Sequence, residues 1–212
     1  MAVVKPAVLL LMLAVLSTRA APPPEGCHNL TKTVTKAHLE RLSGDWVLLW
    51  SSSGNTTELE MWRNLTSSHV ELKLHKDTIT YNERNLFLGN SCVSYYSNMS
   101  ATSEDQQVFS IKSSMVEMKG ALTEEFDNGT VKFFETCDDC LVMEYTGDIG
   151  RFLLNYRREG LHQDLEVLKA ARSAGQKLAE CLGFPPHDPF IYDGVADFCH
   201  KKSSPEVKPE QS

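Results

Sequence analysis

The sequence lacks the short motifs that mark many enzyme active sites. It has no Gly-x-Ser-x-Gly nucleophile elbow, no His-Glu-x-x-His pair and no glycine-rich phosphate loop. Basic residues are also scarce, because 21 Lys and Arg face 28 Asp and Glu in 212 residues, for a net charge of −7. An acidic chain is poorly suited to nucleic-acid binding. These absences favour a protein that is not an enzyme and has no nucleic-acid partner.

Long apolar runs are confined to the beginning of the chain. The run "AVLLLMLAVL" (7–16) follows one basic residue, Lys5, and precedes a small residue suited to cleavage. This order is typical of a secretory signal peptide over 1–20. No later run approaches the roughly eighteen apolar residues that a membrane-spanning helix needs. We therefore expect one secreted domain over 21–202, without stable membrane insertion, and a disordered polar tail over 203–212.

The cysteines and glycosylation triplets agree with an extracellular location. Six cysteines follow the leader, and an even number in an exported protein indicates three disulfides. Their count leaves fifteen pairings open. Asn-x-Ser/Thr triplets predict a glycoprotein in which each used site faces solvent. The five triplets begin at Asn29, Asn55, Asn64, Asn98 and Asn128.

Short strand-like runs occupy most of the chain. The run "HVELKLH" (69–75) alternates apolar and polar residues, and "DNGTVKFFET" (127–136) opens with an Asn-Gly pair typical of hairpin turns. About eight such runs, with no long helix between them, indicate an all-β antiparallel sandwich or a closed barrel. The stretch 161–184 then predicts one amphipathic helix, suited to packing outside the barrel. A closed barrel of about eight strands leaves an interior that can hold one small ligand.

The start of the first strand, Gly44-Asp45-Trp46, resembles the Gly-x-Trp signature of the lipocalin family. In that family the Trp closes the narrow end of the barrel, and an Arg from the last barrel strand lies across its indole. Arg157, in "RFLLNYR", occupies the matching place here. Such stacking gains about 0.5–2 kcal/mol. The resemblance implies an eight-stranded antiparallel up-and-down barrel with a C-terminal α-helix outside, closed by Trp46 and Arg157.

The placement of four cysteines sharpens this resemblance. It is similar to the pattern of α-1-acid glycoprotein (orosomucoid), and by that likeness Cys27 pairs with Cys181, and Cys92 with Cys199. The chain as a whole resembles a group of fish plasma proteins that includes tributyltin-binding proteins and saxitoxin- and tetrodotoxin-binding proteins. The resemblance covers nearly all of the chain after the leader.

The remaining pair, Cys137 and Cys140 in "TCDDCLV", departs from that four-cysteine pattern. A redox Cys-x-x-Cys normally opens a helix, whereas this pair lies between two strands with acidic residues inside it. A zinc site needs further ligands, and no His lies near in sequence. We therefore predict a small Cys137–Cys140 disulfide that pins a turn, and we expect neither a metal nor a cofactor. No free thiol is left, which argues against the thiol-dependent prostaglandin isomerase found elsewhere among lipocalins.

Strand alternation predicts which side chains a ligand would meet inside the barrel. Counting from an inward Trp46 places Trp50 inward as well. An inward Glu135 could pair with a ligand cation, but a shift of one residue would put it in solvent. We expect His69 and His75, on a polar strand face, to be solvated. The predicted lining residues are Trp50, Leu48, Val70, Leu72, Leu74, Phe133, Glu135, Met143, Tyr145, Leu154 and Tyr156.

An interior lined by apolar and aromatic residues with an occasional carboxylate suits a small lipophilic or amphipathic molecule. We expect a secreted plasma glycoprotein that carries such molecules without chemistry. The resemblance implies tributyltin, tetrodotoxin or saxitoxin as candidate cargo. The alternative is an acute-phase or immunomodulatory glycoprotein that acts through its surface and glycans. The residues identify neither the ligand nor the oligomeric state, and protein partners stay unknown.

Overall fold

The computed structural model describes most of the chain after the leader, namely residues 26–54, 63–102, 107–186, 189–195 and 199. The predicted signal peptide, the predicted tail over 203–212 and the glycosylation triplet at Asn55 lie outside these residues. Among the residues described, no helix is both long enough and apolar enough to cross a membrane.

Strands make up most of the described chain, together with two α-helices and one 3₁₀ helix. In chain order the elements are α1 (Cys27–Leu30), the 3₁₀ helix (Lys36–Leu42), β1 (Gly44–Ser53), β2 (Leu65–His75), β3 (Thr78–Phe87), β4 (Ser91–Ala101), β5 (Phe109–Met118), β6 (Ala121–Glu125), β7 (Thr130–Phe134), β8 (Cys140–Gly147), β9 (Gly150–Arg158), α2 (Leu165–Cys181) and β10 (Phe190–Ile191).

Eight of these strands close into an antiparallel barrel. Strands β1 to β5 pair in sequence order, β5 pairs with β7, β7 to β9 continue the order, and β9 pairs back onto β1. The short strand β6 extends a hairpin from one half of β5, and β10 adds to the edge of β1. The structure therefore has the predicted eight-stranded barrel, and a sandwich is excluded because β1 and β9 close the sheet.

A β-bulge in β1 decides which way its second half faces. Leu48 pairs with Tyr156, but Trp50 pairs with Asn155, so Leu49 is an extra residue on the β1 side. A bulge of one residue inverts the facing of everything beyond it. Trp50 therefore lies on the outer wall of the barrel, and the prediction that it faces the interior is wrong.

The outer wall around Trp50 is covered by helix α2. The helix begins after Asp164, whose side chain accepts hydrogen bonds from the first-turn amides of Glu166 and Val167. Gly175 allows the close approach, because a Cβ there would lie 2.6 Å from Cε3 of Trp50. A second apolar layer results between barrel and helix, formed by Trp50, Phe134, Val142, Leu153, Leu178, Ala179 and Phe184. The helix is thus outside the barrel, as predicted, although shorter than 161–184.

Three disulfides join the elements, with the predicted pairings. Cys27–Cys181 ties α1 to the end of α2, and Cys92–Cys199 ties β4 to the segment after β10. The Cys137–Cys140 disulfide closes the turn before β8. No cysteine in the described residues is free.

Candidate ligand-binding site

One end of the barrel is closed by Trp46. Its indole is fully buried, and its Nε1–H donates to the carbonyl of Leu42, 2.9 Å away. The guanidinium that covers the ring belongs to Arg158, whose Cζ lies 4.2 Å from the ring centroid. Arg158 also donates to the carbonyls of Ser43 and Arg41. The predicted plug is therefore present, but the prediction that Arg157 supplies its cation is wrong.

The phase of β9 explains this correction. Trp46 pairs directly with Arg158, while Arg157 pairs with Val47 on the other face. Phe152 and Leu154 face the interior, so every second residue up to Arg158 does so too. The predicted lining residues Leu154 and Tyr156 already implied this, because alternation from them places Arg158 inward and Arg157 outward. Arg157 instead lies outside, with Nη1 2.9 Å from the sulfur atoms of both Cys137 and Cys140.

The interior next to Trp46 is packed solid rather than hollow. Val70 pairs with Trp46, and Leu72 pairs with the inward Tyr81 of β3. Phe133 packs edge-on against Phe109 with ring centroids 5.6 Å apart. The predicted residues in this layer face inward but are not among those that line the cavity at the other end of the barrel. They are Leu48, Val70, Leu72, Leu74, Phe133 and Tyr156.

A cavity of about 220 Å³ fills the other end of the barrel and opens between the β6–β7 and β8–β9 connections. Three of the predicted residues line it: Met143, Tyr145 and Leu154. The other lining residues are Leu65, Tyr81, Glu83, Asn85, Phe87, Tyr95, Ser97, Met99, Ile111, Ser114, Glu125, Phe126, Asp127, Val131, Asp148, Ile149 and Phe152.

The charge of this lining is of one sign. Four carboxylates contribute to it: Glu83 from β3, Glu125 at the end of β6, Asp127 from the following loop, and Asp148 from the β8–β9 turn. No Lys, Arg or His is among the described lining residues. Carboxylates within an apolar wall concentrate negative potential, because low-dielectric surroundings screen charge weakly.

Glu83 is the carboxylate that sits on the barrel wall itself. The Ser68 hydroxyl donates to Glu83 Oε1 over 3.2 Å. Burial raises the pKa of Glu83, while hydrogen bonds from Asn85, Tyr81 and Ser68 oppose that rise. Desolvation thus dominates, which is the condition under which a carboxylate gains most from a bound cation.

Three tyrosines surround the carboxylates. The hydroxyl of Tyr81 lies 3.3 Å from that of Tyr156, at the boundary with the packed layer. The Tyr145 hydroxyl donates to Asp127 Oδ1 over 2.8 Å and so orients this carboxylate at the mouth. Burial, followed by the charges of Glu83 and Glu125, raises the pKa of Tyr95 to about 12. All three phenols therefore stay neutral at physiological pH.

The prediction that Glu135 faces the cavity is wrong. Strand β7 ends at Phe134, one residue earlier, so alternation no longer applies to Glu135. Its carboxylate instead forms an ion pair with Lys32 Nζ at 2.7 Å, and its backbone N–H donates to the carbonyl of Lys32. Among the described residues of the eight barrel strands, the acidic side chain that lines the cavity is Glu83.

Sequence reasoning missed Glu83 because the inward positions of β3 are not uniformly apolar. Residues 79, 81, 83, 85 and 87 face inward, and they read Ile, Tyr, Glu, Asn and Phe. The signal that finds them is the hairpin: Leu72 opposite Tyr81 places Glu83 opposite Val70. Glu125 ends the short strand β6, and Asp127 and Asp148 lie in connections, so none of the three had a periodic signal.

A second polar group lies outside the barrel around His69, which is 1% exposed rather than solvated. Its Nε2 lies 3.2 Å from Glu159 and 3.5 Å from Asp45, and Arg84 contacts its Nδ1. A guanidinium only donates, so Nδ1 accepts and the proton of the neutral ring is on Nε2. The carboxylates of Asp45 and Glu159 therefore converge on the imidazole of His69. In this tautomer Nε2–H donates to the carboxylates and offers no lone pair to a metal.

The predicted glycosylation sites within the described residues all face solvent. Asn29, Asn64, Asn98 and Asn128 are exposed. Asn128 lies in the β6–β7 loop beside the cavity mouth. Exposure meets the geometric requirement for modification, and glycosylation itself stays a prediction.

Comparisons with known proteins agree with this architecture. The chain is 67% identical over 199 residues to saxitoxin and tetrodotoxin-binding proteins 1 and 2 of Takifugu pardalis. The match covers 94% of this chain but 51% of each relative, so the chain spans about half their length. No protein-family model matches.

Solved structures show the fold. Lipocalin 12 from rat epididymis superposes with a TM-score of 0.57 at 12% identity, covering 82% of this chain and 93% of that one. The siderocalin Ex-FABP superposes with a TM-score of 0.53 at 16% identity, covering 74% of this chain and 97% of that one. At these identities the similarity shows the barrel fold and gives no information about the ligand.

Proposed function

We propose that this chain binds a small organic cation in the cavity of about 220 Å³ opposite the Trp46 plug, which we call the open-end cavity. The chain has the lipocalin fold and is related to the saxitoxin and tetrodotoxin-binding proteins. The observation that carries this proposal is the lining, in which the described residues include four carboxylates and three tyrosines but no basic side chain. A cation placed there gains charge pairing without a competing positive side chain. Binding involves no chemistry on the ligand.

The depth of Glu83 makes it the residue expected to select for charge. Its carboxylate is half-buried and already receives a hydrogen bond from Ser68. A guanidinium donates through a planar array of N–H groups that matches a carboxylate. Pairing would offset the desolvation that raises the pKa of Glu83. Asp127 and Asp148, at the mouth, would attract the same cation before it enters.

The size of the cavity favours a compact ligand. Its volume of about 220 Å³ is below the roughly 300–1,000 Å³ of pockets that hold drug-sized molecules. Phe152, Leu154 and Met143 supply apolar surface beside the charge. Saxitoxin and tetrodotoxin, both guanidinium compounds, are the first candidates, and tributyltin is the candidate that presents alkyl groups and no N–H donor.

We further propose that the protein is a secreted glycoprotein of plasma or another body fluid. The predicted leader, the exposed glycosylation triplets and three disulfides support this location. Its relatives' names describe toxin binding, which fits carriage or sequestration of a ligand in fluid.

Calorimetric titration of saxitoxin, tetrodotoxin and tributyltin into the purified protein tests the proposal. We expect Glu83→Gln to weaken guanidinium binding by roughly 10–100-fold, which is about 1.4–2.7 kcal/mol. This lies at the low end of the cost of breaking a buried charge pair, because Glu83 is half-buried. Glu166→Gln removes the same charge from an exposed position on α2 and should leave affinity unchanged. Failure of every toxin to bind, or equal affinity of the two variants, would overturn the assignment.

Tributyltin separates charge recognition from simple apolar burial. If Glu83 acts through hydrogen bonds to planar N–H groups, Glu83→Gln should weaken tributyltin binding much less than toxin binding. An equal loss for both would mean that the carboxylate acts only as a point charge.

A further inference from the structure

The Cys137–Cys140 disulfide differs from the other two in its surroundings. Cys137 is exposed and Cys140 is half-buried, so neither cysteine of this bridge is buried. Each of the other bridges has one buried cysteine, Cys27 or Cys199, although Cys92 is exposed. The pair also borders a separate cavity of about 130 Å³, outside the barrel and beside the 3₁₀ helix. An incoming thiol therefore has both an exposed sulfur and space next to it.

A guanidinium lies against both sulfur atoms. Arg157, in the strand next to β8, directly opposes Cys140, and its Nη1 lies 2.9 Å from each Sγ. A cation beside a cysteine lowers the pKa of the thiol, because it stabilises the thiolate. A thiol with a lower pKa is also a better leaving group in thiol–disulfide exchange.

The two acidic residues inside the loop do not cancel this cation. Asp138 Oδ1 pairs with Arg41 Nη1 at 3.1 Å, and Asp139 Oδ1 pairs with Arg158 Nε at 3.3 Å. Each aspartate thus has its own arginine on another element. The sequence argument against redox chemistry rested on these acidic residues and on the position of the pair between two strands. The structure confirms that position, but it pairs each acidic side chain with an arginine.

We propose that Cys137–Cys140 is an exchangeable disulfide that accepts electrons from a dithiol, with Arg157 as the residue that holds the departing thiolate. A thiolate of the dithiol attacks the exposed Cys137 Sγ and forms a mixed disulfide. The Cys137–Cys140 bond breaks, and its electron pair leaves with Cys140 as a thiolate beside Arg157. The second thiol of the reductant loses its proton, and the resulting thiolate attacks the reductant sulfur that is bonded to Cys137. That step releases Cys137 as a thiolate and the oxidised cyclic disulfide.

Graded reduction of the full-length protein with dithiothreitol, followed by alkylation and peptide mass spectrometry, tests this site. We expect Cys137 and Cys140 to become alkylated before either of the other bridges opens. Arg157→Met should slow that first reduction several-fold, because a leaving thiol with a lower pKa departs faster in thiol–disulfide exchange. Arg172→Met, an exposed residue of α2, removes the same charge at a distance and should leave the rate unchanged.

A second readout separates stabilisation of the thiolate from a merely structural role. In the reduced protein, the pH profile of Cys140 alkylation should show a pKa below that of free cysteine, and Arg157→Met should raise it. Arg157→Lys keeps the charge and should restore most of the rate, even if Arg157→Met disturbs folding. Reduction of Cys137–Cys140 no faster than the other bridges, or equal rates in Arg157→Lys and Arg157→Met, would overturn the proposal. Neither outcome bears on ligand binding in the barrel.

Discussion

Replacing Arg158 with Met tests the closure of the barrel most directly. Met keeps an apolar stem over the Trp46 ring but removes the guanidinium that stacks on it at 4.2 Å. The stacking accounts for about 1 kcal/mol, within the range of 0.5–2 for a partly desolvated pair. The hydrogen bonds to the carbonyls of Ser43 and Arg41 are long, 3.3 and 3.2 Å, and contribute about 0.5–1 kcal/mol each.

The ion pair of Arg158 with Asp139 adds little to this sum. Its side chains are 32% and 44% exposed, and pairs in contact with solvent contribute about 0–1 kcal/mol. We therefore expect Arg158→Met to lower the free energy of unfolding by about 2–3 kcal/mol. With a urea m-value of about 2 kcal/mol/M, the midpoint falls by about 1–1.5 M.

The matched control is the neighbouring residue. Arg157→Met removes the same charge from the outer face, where the guanidinium contacts the two sulfurs of a turn. We expect its free energy of unfolding in urea, measured by circular dichroism with the disulfides intact, to stay within about 0.5 kcal/mol of the wild type. If Arg157→Met destabilises the protein as much as Arg158→Met, the assignment of Arg158 to the plug is refuted.

Two further predictions concern the helix and the outer histidine. Gly175→Ala should destabilise the protein by about 1–2 kcal/mol in urea unfolding, because the added methyl meets the buried Trp50 ring and outweighs the gain in helix propensity of about 1 kcal/mol. Burial, aided by Arg84, lowers the pKa of His69, so the folded state favours the neutral ring. The contribution of His69 to the free energy of unfolding is therefore present above about pH 6.5 and lost as pH falls. We expect His69→Gln to flatten the decline in that free energy between about pH 7 and 5.

Controls for these two measurements lie on the same elements. Ser173→Ala, at an exposed position of α2, should leave the free energy of unfolding unchanged or raise it slightly. If Gly175→Ala changes that free energy by the same amount, the helix can move away from the barrel. Burial also lowers the pKa of His162, so a residual slope is expected in His69→Gln. An unchanged slope would show that the burial of His69 has no effect on stability.

The sequence predicted the barrel because its evidence is repeated along the chain. Eight alternating runs, one amphipathic helix and the Gly44-Asp45-Trp46 start each point to the same arrangement, and an error of two residues in any strand leaves the fold unchanged. The disulfide pairings followed from a resemblance and agree with the structure. The facing of individual residues has no such redundancy.

The candidate site was predicted only in part, for three physical reasons. The bulge at Leu49 depends on how β1 pairs with β9, a strand about a hundred residues later, and no local pattern marks it. Glu83 interrupts the apolar alternation that identifies an inward face. The acidic residues at the mouth, such as Asp127, come from connections whose shape depends on the closed barrel.

The single extra residue in β1 also places two of the protein's three tryptophans in separate layers. Trp46 emits from the closed end, and Trp50 emits from the layer beneath α2, and neither indole borders the open-end cavity. A ligand held among the tyrosines touches neither ring. In a variant in which the third tryptophan, Trp62, is replaced with Phe, a change in emission during a titration would therefore record movement of the plug or of the helix. Replacing Trp46 or Trp50 with Phe in that background would identify which one moved.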